Sequence, residues 1–220
     1  MKWRLLIGLA FVFLFIRIVP AQEENNRFFI SPVLGLQGAQ IDGDYYAGYN
    51  KAGIFAGFFV GRNISEKMNW SFGLAYSQKG ARENPDPEKN YYDFYLARMQ
   101  YVEVPVSLTH HFKRFDFNWG AYYGRLIKAT EENQNGIINT GLVFKDNDFG
   151  YTLGLEYKLF DNTFLGVRHS YSVLPVRDYF FNGNVGYTFF MQRLLNRGLY
   201  NNTLMFYFKY MMRPEEKMNK

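Results

Sequence analysis

The side chains here that could do chemistry are three histidines, a handful of serines, several closely spaced aspartates and a set of isolated charges. His110 and His111 are adjacent, so on a strand they point to opposite faces, and His169 lies on a distant segment. They do not converge, and no carboxylate stands beside them at the spacing of a metal site. A hydrolase or acyltransferase needs a nucleophile, a base and an orienting group within hydrogen-bond reach. Ser77, Ser170, Ser172 and Asp178 fall toward one end of the segments described below, but His169, the histidine in that half, has the opposite parity. The expectation is therefore no catalytic set, no cofactor site and no enzyme. Asp42 with Asp44, and Asp146 with Asp148, offer oxygen ligands of the kind Ca²⁺ takes. Neither pair carries the full pattern of a calcium loop, and Asp suits tight turns, so no metal is expected.

The elements that must position these groups are strands. From Arg27 to Met212 large apolar side chains recur at every second position, as in Met68, Trp70, Phe72, Leu74 and Tyr76, with Asn69, Ser71, Gly73, Ala75 and Ser77 between them. Side chains on a strand alternate between faces, so one face is apolar and aromatic and the other small or polar. With no second apolar set to cover it, the greasy face must meet lipid. The alternation predicts eight strands, at 28–41, 51–62, 68–79, 94–112, 115–128, 149–159, 163–173 and 203–212. The fold class is thus all-β, an eight-stranded antiparallel up-and-down transmembrane β-barrel. Connections at 63–67, 113–114 and 160–162 are short and those at 42–50, 80–93, 129–148 and 174–202 long. Short turns face the periplasm in such barrels and long loops the exterior.

The ends fit this reading. Residues 1–21 form a signal peptide: basic Lys2 and Arg4, an apolar run from Leu5 to Phe15, and Val19-Pro20-Ala21 before cleavage at Gln22. The apolar run is shorter than the roughly 20 residues of a spanning helix, and Arg17 breaks it. Residues 22–27 are a short periplasmic lead-in, 28–212 the barrel, and 213–220 a polar periplasmic tail. Without cysteine, neither a lipid-modified N-terminal Cys nor a disulfide framework is available. The formal charge of +5 falls to +2 once Lys2, Arg4 and Arg17 leave, and the remaining basic residues are scattered, which excludes a nucleic-acid footprint. A signal peptide followed by a lipid-facing barrel implies a bacterial outer membrane, with membrane lipid and lipopolysaccharide as contacts.

An eight-stranded barrel has an interior only just wide enough for side chains. Lys51, Lys79, Glu103, Lys128, Glu156, Lys158, Arg168 and Lys209 have the inward parity and should pair across the lumen and plug it. Among them Glu103, Glu156 and Arg168 are expected to share one network. In the fourth long loop, Tyr187, Phe189, Phe190 and Leu194 form an apolar segment where water is expected. It reads as a cap on the barrel or, in functional terms, as a docking surface for a partner or lipopolysaccharide.

Three stretches carry a family likeness: Gln40-Ile41-Asp42-Gly43-Asp44 followed by Gly48-Tyr49-Asn50-Lys51; Tyr76-Ser77-Gln78-Lys79-Gly80; and Tyr101-Val102-Glu103-Val104-Pro105. In these the chain resembles the PorT family of small porin-like outer-membrane barrels of Bacteroidetes. The resemblance implies an eight-stranded barrel and an accessory role in type IX protein secretion or gliding, with other outer-membrane or secretion-system proteins as partners. The alternative is a surface-binding or adhesion barrel acting through its extracellular loops. The polar tail Arg213 to Lys220 departs from the family's habit of ending close to the last strand.

Overall fold

In hydrocarbon every backbone N–H and C=O must be satisfied within the protein, and strands achieve this only by closing into a barrel. The computed structural model describes residues 28–44, 46, 48–90, 92–138, 143–178 and 198–212. The long strands are β1 (Phe28–Asp42), β2 (Lys51–Ser65), β3 (Met68–Glu83), β4 (Tyr95–Phe112) and β5 (Phe115–Asn133). After the two-residue β6 (Gly136–Ile137) come β7 (Asn147–Phe160) and β8 (Thr163–Ser172). The two-residue β9 (Arg177–Asp178) then precedes the last strand, β10 (Gly198–Tyr210). The antiparallel order is β1-β2-β3-β4-β5-β7-β8-β10, and β1 pairs with β10 from Val33↔Lys209 to Asp42↔Tyr200. This is the closed eight-stranded barrel expected from the alternation.

The outward parity is the lipid face. Leu34, Leu36, Phe58, Leu74, Val106, Leu155, Phe206 and Phe208 are all exposed. Aromatic rings gather toward both ends of the wall, as an outer-membrane barrel requires. Toward the short turns lie Trp70 with Phe72, His110 with Phe112, and Phe115 with Tyr157. Toward the long loops lie Tyr123 with Phe149 and a run from Tyr151 through His169 and Tyr171 to Tyr200.

Three features differ from the sequence reading. First, β3 and β5 run past their expected ends to Glu83 and Asn133, with Glu83↔Tyr95 and Tyr95↔Asn133 still paired. Backbone pairing continues where the outward face is polar and the periodic signal fades, while Ala81, Ala97 and Glu131 stay buried on the inward face. Second, Lys128 points outward and is exposed, because a bulge at Ile127 places Gln100 opposite Lys128 and Tyr101 opposite Leu126. One extra residue in a strand reverses the parity beyond it, and here that turns Glu131 inward. Third, the inward face is not only small and polar. Phe29, Val33, Phe55, Phe59, Met205, Tyr207 and Met211 are buried in the lumen. Glycines make room for them: a Cβ at Gly166 would stand 2.4 Å from the Tyr207 ring and one at Gly73 2.8 Å from that of Phe59.

Gly80 is the tightest backbone position in β3. Its φ is +139°, and an added Cβ would lie 2.0 Å from the Ala97 carbonyl oxygen of the paired strand. Gly136 also has a positive φ, +102°, but nothing stands within 4 Å. Gly136→Ala should therefore cost only the conformational strain, about 1 to 3 kcal/mol. Gly80→Ala should cost more, since rigid backbone must also move. Heat-modifiable migration of refolded protein in detergent gels measures the folded fraction; equal losses for the two variants would contradict the clash.

Candidate functional site

The inward side chains form alternating apolar and charged layers, ordered by their positions along the strands. Nearest the short turns, Phe29, Phe164 and Met211 pack together. Above them Glu156 pairs with Lys209 and accepts a 2.7 Å hydrogen bond from the Tyr207 hydroxyl, to which Asn118 donates in turn. Next come Val33, Phe55, Phe59, Ala75 and Met205.

The following layer is the most connected. The Lys79 ammonium sits 2.7 Å from Glu103 Oε1 and 3.0 Å from Asp148 Oδ2, beneath the Tyr122 ring at 4.0 Å. Asp148 also accepts from Ser172 Oγ at 2.7 Å, from Asn201 Nδ2 at 3.0 Å and from the Tyr122 hydroxyl at 3.3 Å. Asn201 reaches the Tyr101 hydroxyl, and its backbone N–H donates to Ser172. Lys79, Glu103, Tyr122, Asp148, Ser172 and Asn201 come from β3, β4, β5, β7, β8 and β10, so one buried network ties most of the wall together.

The lumen is closed above this layer by the loops. Phe144 and Val176 are buried against Ile41, Ala81, Ala97, Met99 and Tyr101. Backbone bonds Lys145 N–H to Val176 O and Val176 N–H to Leu199 O stitch the loops to β10. Arg177 stacks on Phe144 with its guanidinium 3.7 Å from the ring centroid and makes a two-pronged ion pair with Glu131, which also accepts from the Tyr95 hydroxyl. The bulge at Ile127 is what makes this clasp possible.

Glu103, Glu156 and Arg168 all point into the lumen, but they do not form one network. Glu103 pairs with Lys79, and Glu156 with Lys209 one layer below. Arg168 makes no ion pair among the described residues; its guanidinium lies over the rings of Tyr207, Phe59 and Phe55 at 5.0, 5.5 and 5.8 Å. An apolar layer separates the two charged ones, so similar depth along neighbouring strands does not bring these three side chains together. Asp148, in a long loop on the sequence reading, is instead part of β7 and buried; it shares the parity of Gly150, Thr152, Gly154 and Glu156, and that alternation extended by one step carries the signal. Glu131 and Arg177 gave no such signal, since a bulge and a loop bring them together.

The remaining candidates are dispersed. His111 is held by Asp116 at 2.8 Å and Asn69 at 2.8 Å near the short turns, whereas His169 bonds Asn202 at 3.0 Å on the outer wall. Ser77 accepts from Gln37, and the fully buried Ser172 donates to Asp148. The aspartate pairs are divided: Asp146 faces Arg125 outside while Asp148 is buried inside, and Asp42 takes Gln40 and Asn202 while Asp44 takes the Tyr46 N–H. Tyr187, Phe189, Phe190 and Leu194 lie outside the described residues.

The family whose description is "Outer membrane protein beta-barrel domain" matches residues 20–178. The chain belongs to this family. Membership and the closed lipid-faced barrel place this family member in the bacterial outer membrane. No curated protein matches the chain. Among solved structures it is similar to Neisserial surface protein A, with 11% identity, 83% of this chain and 96% of that one covered, and a TM-score of 0.48. It is also similar to Ail, the attachment invasion locus protein of Yersinia pestis, at 13% identity, 84% and 99% coverage and a TM-score of 0.48. A third is OprG of Pseudomonas aeruginosa, at 10% identity, 89% and 100% coverage and a TM-score of 0.39.

Lys79→Met should destabilise the family member by about 3 to 5 kcal/mol, because two carboxylates would remain buried without their cation. Urea unfolding of a Lys79/Asp148 double-mutant cycle should show coupling, and an Arg168/Glu103 cycle none; the reverse pattern would restore the single network.

Asp44 supplies a pH dependence at the loop end. Burial pushes its carboxyl up to about 6, opposed by the Tyr46 N–H and reinforced by Asp42 and Glu83. The folded value lies above the ordinary 3.8, so this contribution to stability is full below about 3.8 and is lost as pH rises through about 6. The difference in unfolding midpoint between wild type and Asp44→Asn should change across that window and stay flat above it.

Proposed function

We propose that this chain is a non-enzymatic outer-membrane barrel of PorT type that acts at its loop end, as an accessory to type IX protein secretion or gliding. The observation that carries this reading is the sealed lumen. Two buried charged layers and three apolar ones fill it, and Phe144, Val176 and the Arg177–Glu131 clasp cover its outer mouth. A barrel whose described interior is filled by side chains works by what its rims hold. The PorT-like segments supply the finer assignment: Tyr76 to Gly80 and Tyr101 to Pro105 contribute Lys79, Tyr101 and Glu103 to the most connected layer. Partners on this reading are lipopolysaccharide and neighbouring outer-membrane or secretion-system proteins, and the mature chain starts at Gln22 with 213–220 as a periplasmic tail.

A second reading, a surface-binding or adhesion barrel, draws on the loops themselves. Tyr92 lies in the β3–β4 loop and Ile137 and Val143 in the β5–β7 loop, and they are 65%, 69% and 79% exposed, beyond the wall that lipid covers. Apolar side chains held out in water at this end of the barrel suit a protein partner.

Purified protein in planar bilayers should show little steady conductance; large, long-lived openings would contradict the sealed lumen. A deletion strain should lose export of type IX cargo and spreading on agar. Normal export and motility, with loss of surface binding in a Tyr92→Ser/Ile137→Ser variant, would instead favour the second reading.

A further inference from the structure

Arg168 lines a small cavity in the half of the lumen nearer the short turns. The space measures about 20 Å³, and all eight long strands contribute to its wall. Four buried polar atoms that border it have no hydrogen-bond partner among the described residues: Ser31 Oγ, Ser107 Oγ, Asn118 Oδ1 and Arg168 Nε. Their residues are between 0% and 5% exposed, so bulk water does not serve them. Leaving such groups unpaired is costly, and four around one space point to an occupant.

Charge selects the kind of occupant. Lys209 and Glu156, which also line the cavity, neutralise each other, and the second Glu156 oxygen is taken by Tyr207. Among the described residues the Arg168 charge has no such counterpart. The rings of Phe55, Phe59 and Tyr207 favour a cation over their faces but offer only weak N–H acceptance and carry no net charge. Three of the four unpaired atoms can present a proton to the space: the guanidinium N–H and two serine hydroxyls, whose hydrogens rotate to suit. A room that holds one water-sized particle excludes sulfate, phosphate and carboxylates.

We propose that this cavity is a binding site for a monatomic anion of the halide class, held by Arg168 Nε–H and the hydroxyls of Ser31 and Ser107. The anion completes the lower charged layer in the way that two carboxylates around Lys79 complete the upper one. It also makes the stability of the barrel depend on halide. A single water is the competing occupant; it would satisfy Arg168 Nε and Asn118 Oδ1 and leave the charge uncompensated.

Full-length mature protein, refolded in detergent and crystallised with bromide, should give an anomalous difference peak within hydrogen-bond distance of Arg168 Nε, Ser31 Oγ and Ser107 Oγ. Ordinary water density there with no anomalous signal would overturn the site. In solution, the urea midpoint titrated with sodium bromide at constant ionic strength, with sulfate as the balancing salt, should rise to a plateau. Arg168→Gln should lose that saturating rise and keep only the smooth salt effect seen with sulfate. If Arg168→Gln does not refold, the Ser31→Ala/Ser107→Ala variant should shift the plateau to several-fold higher bromide. An unchanged titration in whichever variant folds would also overturn the proposal.

Discussion

Everything in this molecule depends on the pairing of its first and last long strands. With β1 joined to β10, no edge is left to present unpaired backbone groups to lipid. The same closure creates an interior only just wide enough for side chains, and too wide to leave unfilled. Filling it is then a packing problem, and the inward residues solve it with glycines facing rings and with charges placed in layers.

Those layers explain why so many ionisable groups can be buried together. A lone buried charge is expensive, whereas one enclosed by opposite charge and hydrogen bonds is tolerated. Lys79 illustrates the tolerated case, with two carboxylates and the faces of two tyrosines around it. Its network joins strands that are far apart in sequence, so it contributes to holding the barrel's cross-section as well as to its interior. Arg168 is the contrasting case, a buried cation whose neighbours are mostly rings and hydroxyls.

The loop end is built from the same parts. An inward glutamate made available by a bulge receives an arginine from a loop, and a phenylalanine is pressed between that arginine and the apolar lid. Such an arrangement makes the outer mouth continuous with the core. Among the described residues, Tyr92, Ile137 and Val143 stand exposed at this end of the barrel.

Periodicity by itself determined the class of fold, the number of strands, the lipid face and which end carries the long loops. These follow from a two-residue repeat and from connection lengths, both local properties of the chain. The inward direction of Glu103, Glu156 and Arg168 was legible for the same reason. Partner choice was not. Whether Glu103 meets Lys79 or Arg168 depends on register and on the apolar layer between them, which are set by contacts among distant strands. The reversal at Ile127, the burial of Asp148 and the meeting of Glu131 with Arg177 were likewise decided only in three dimensions. A single bulge shifts parity without leaving a mark in composition, and a loop's landing place is fixed by the surface it covers.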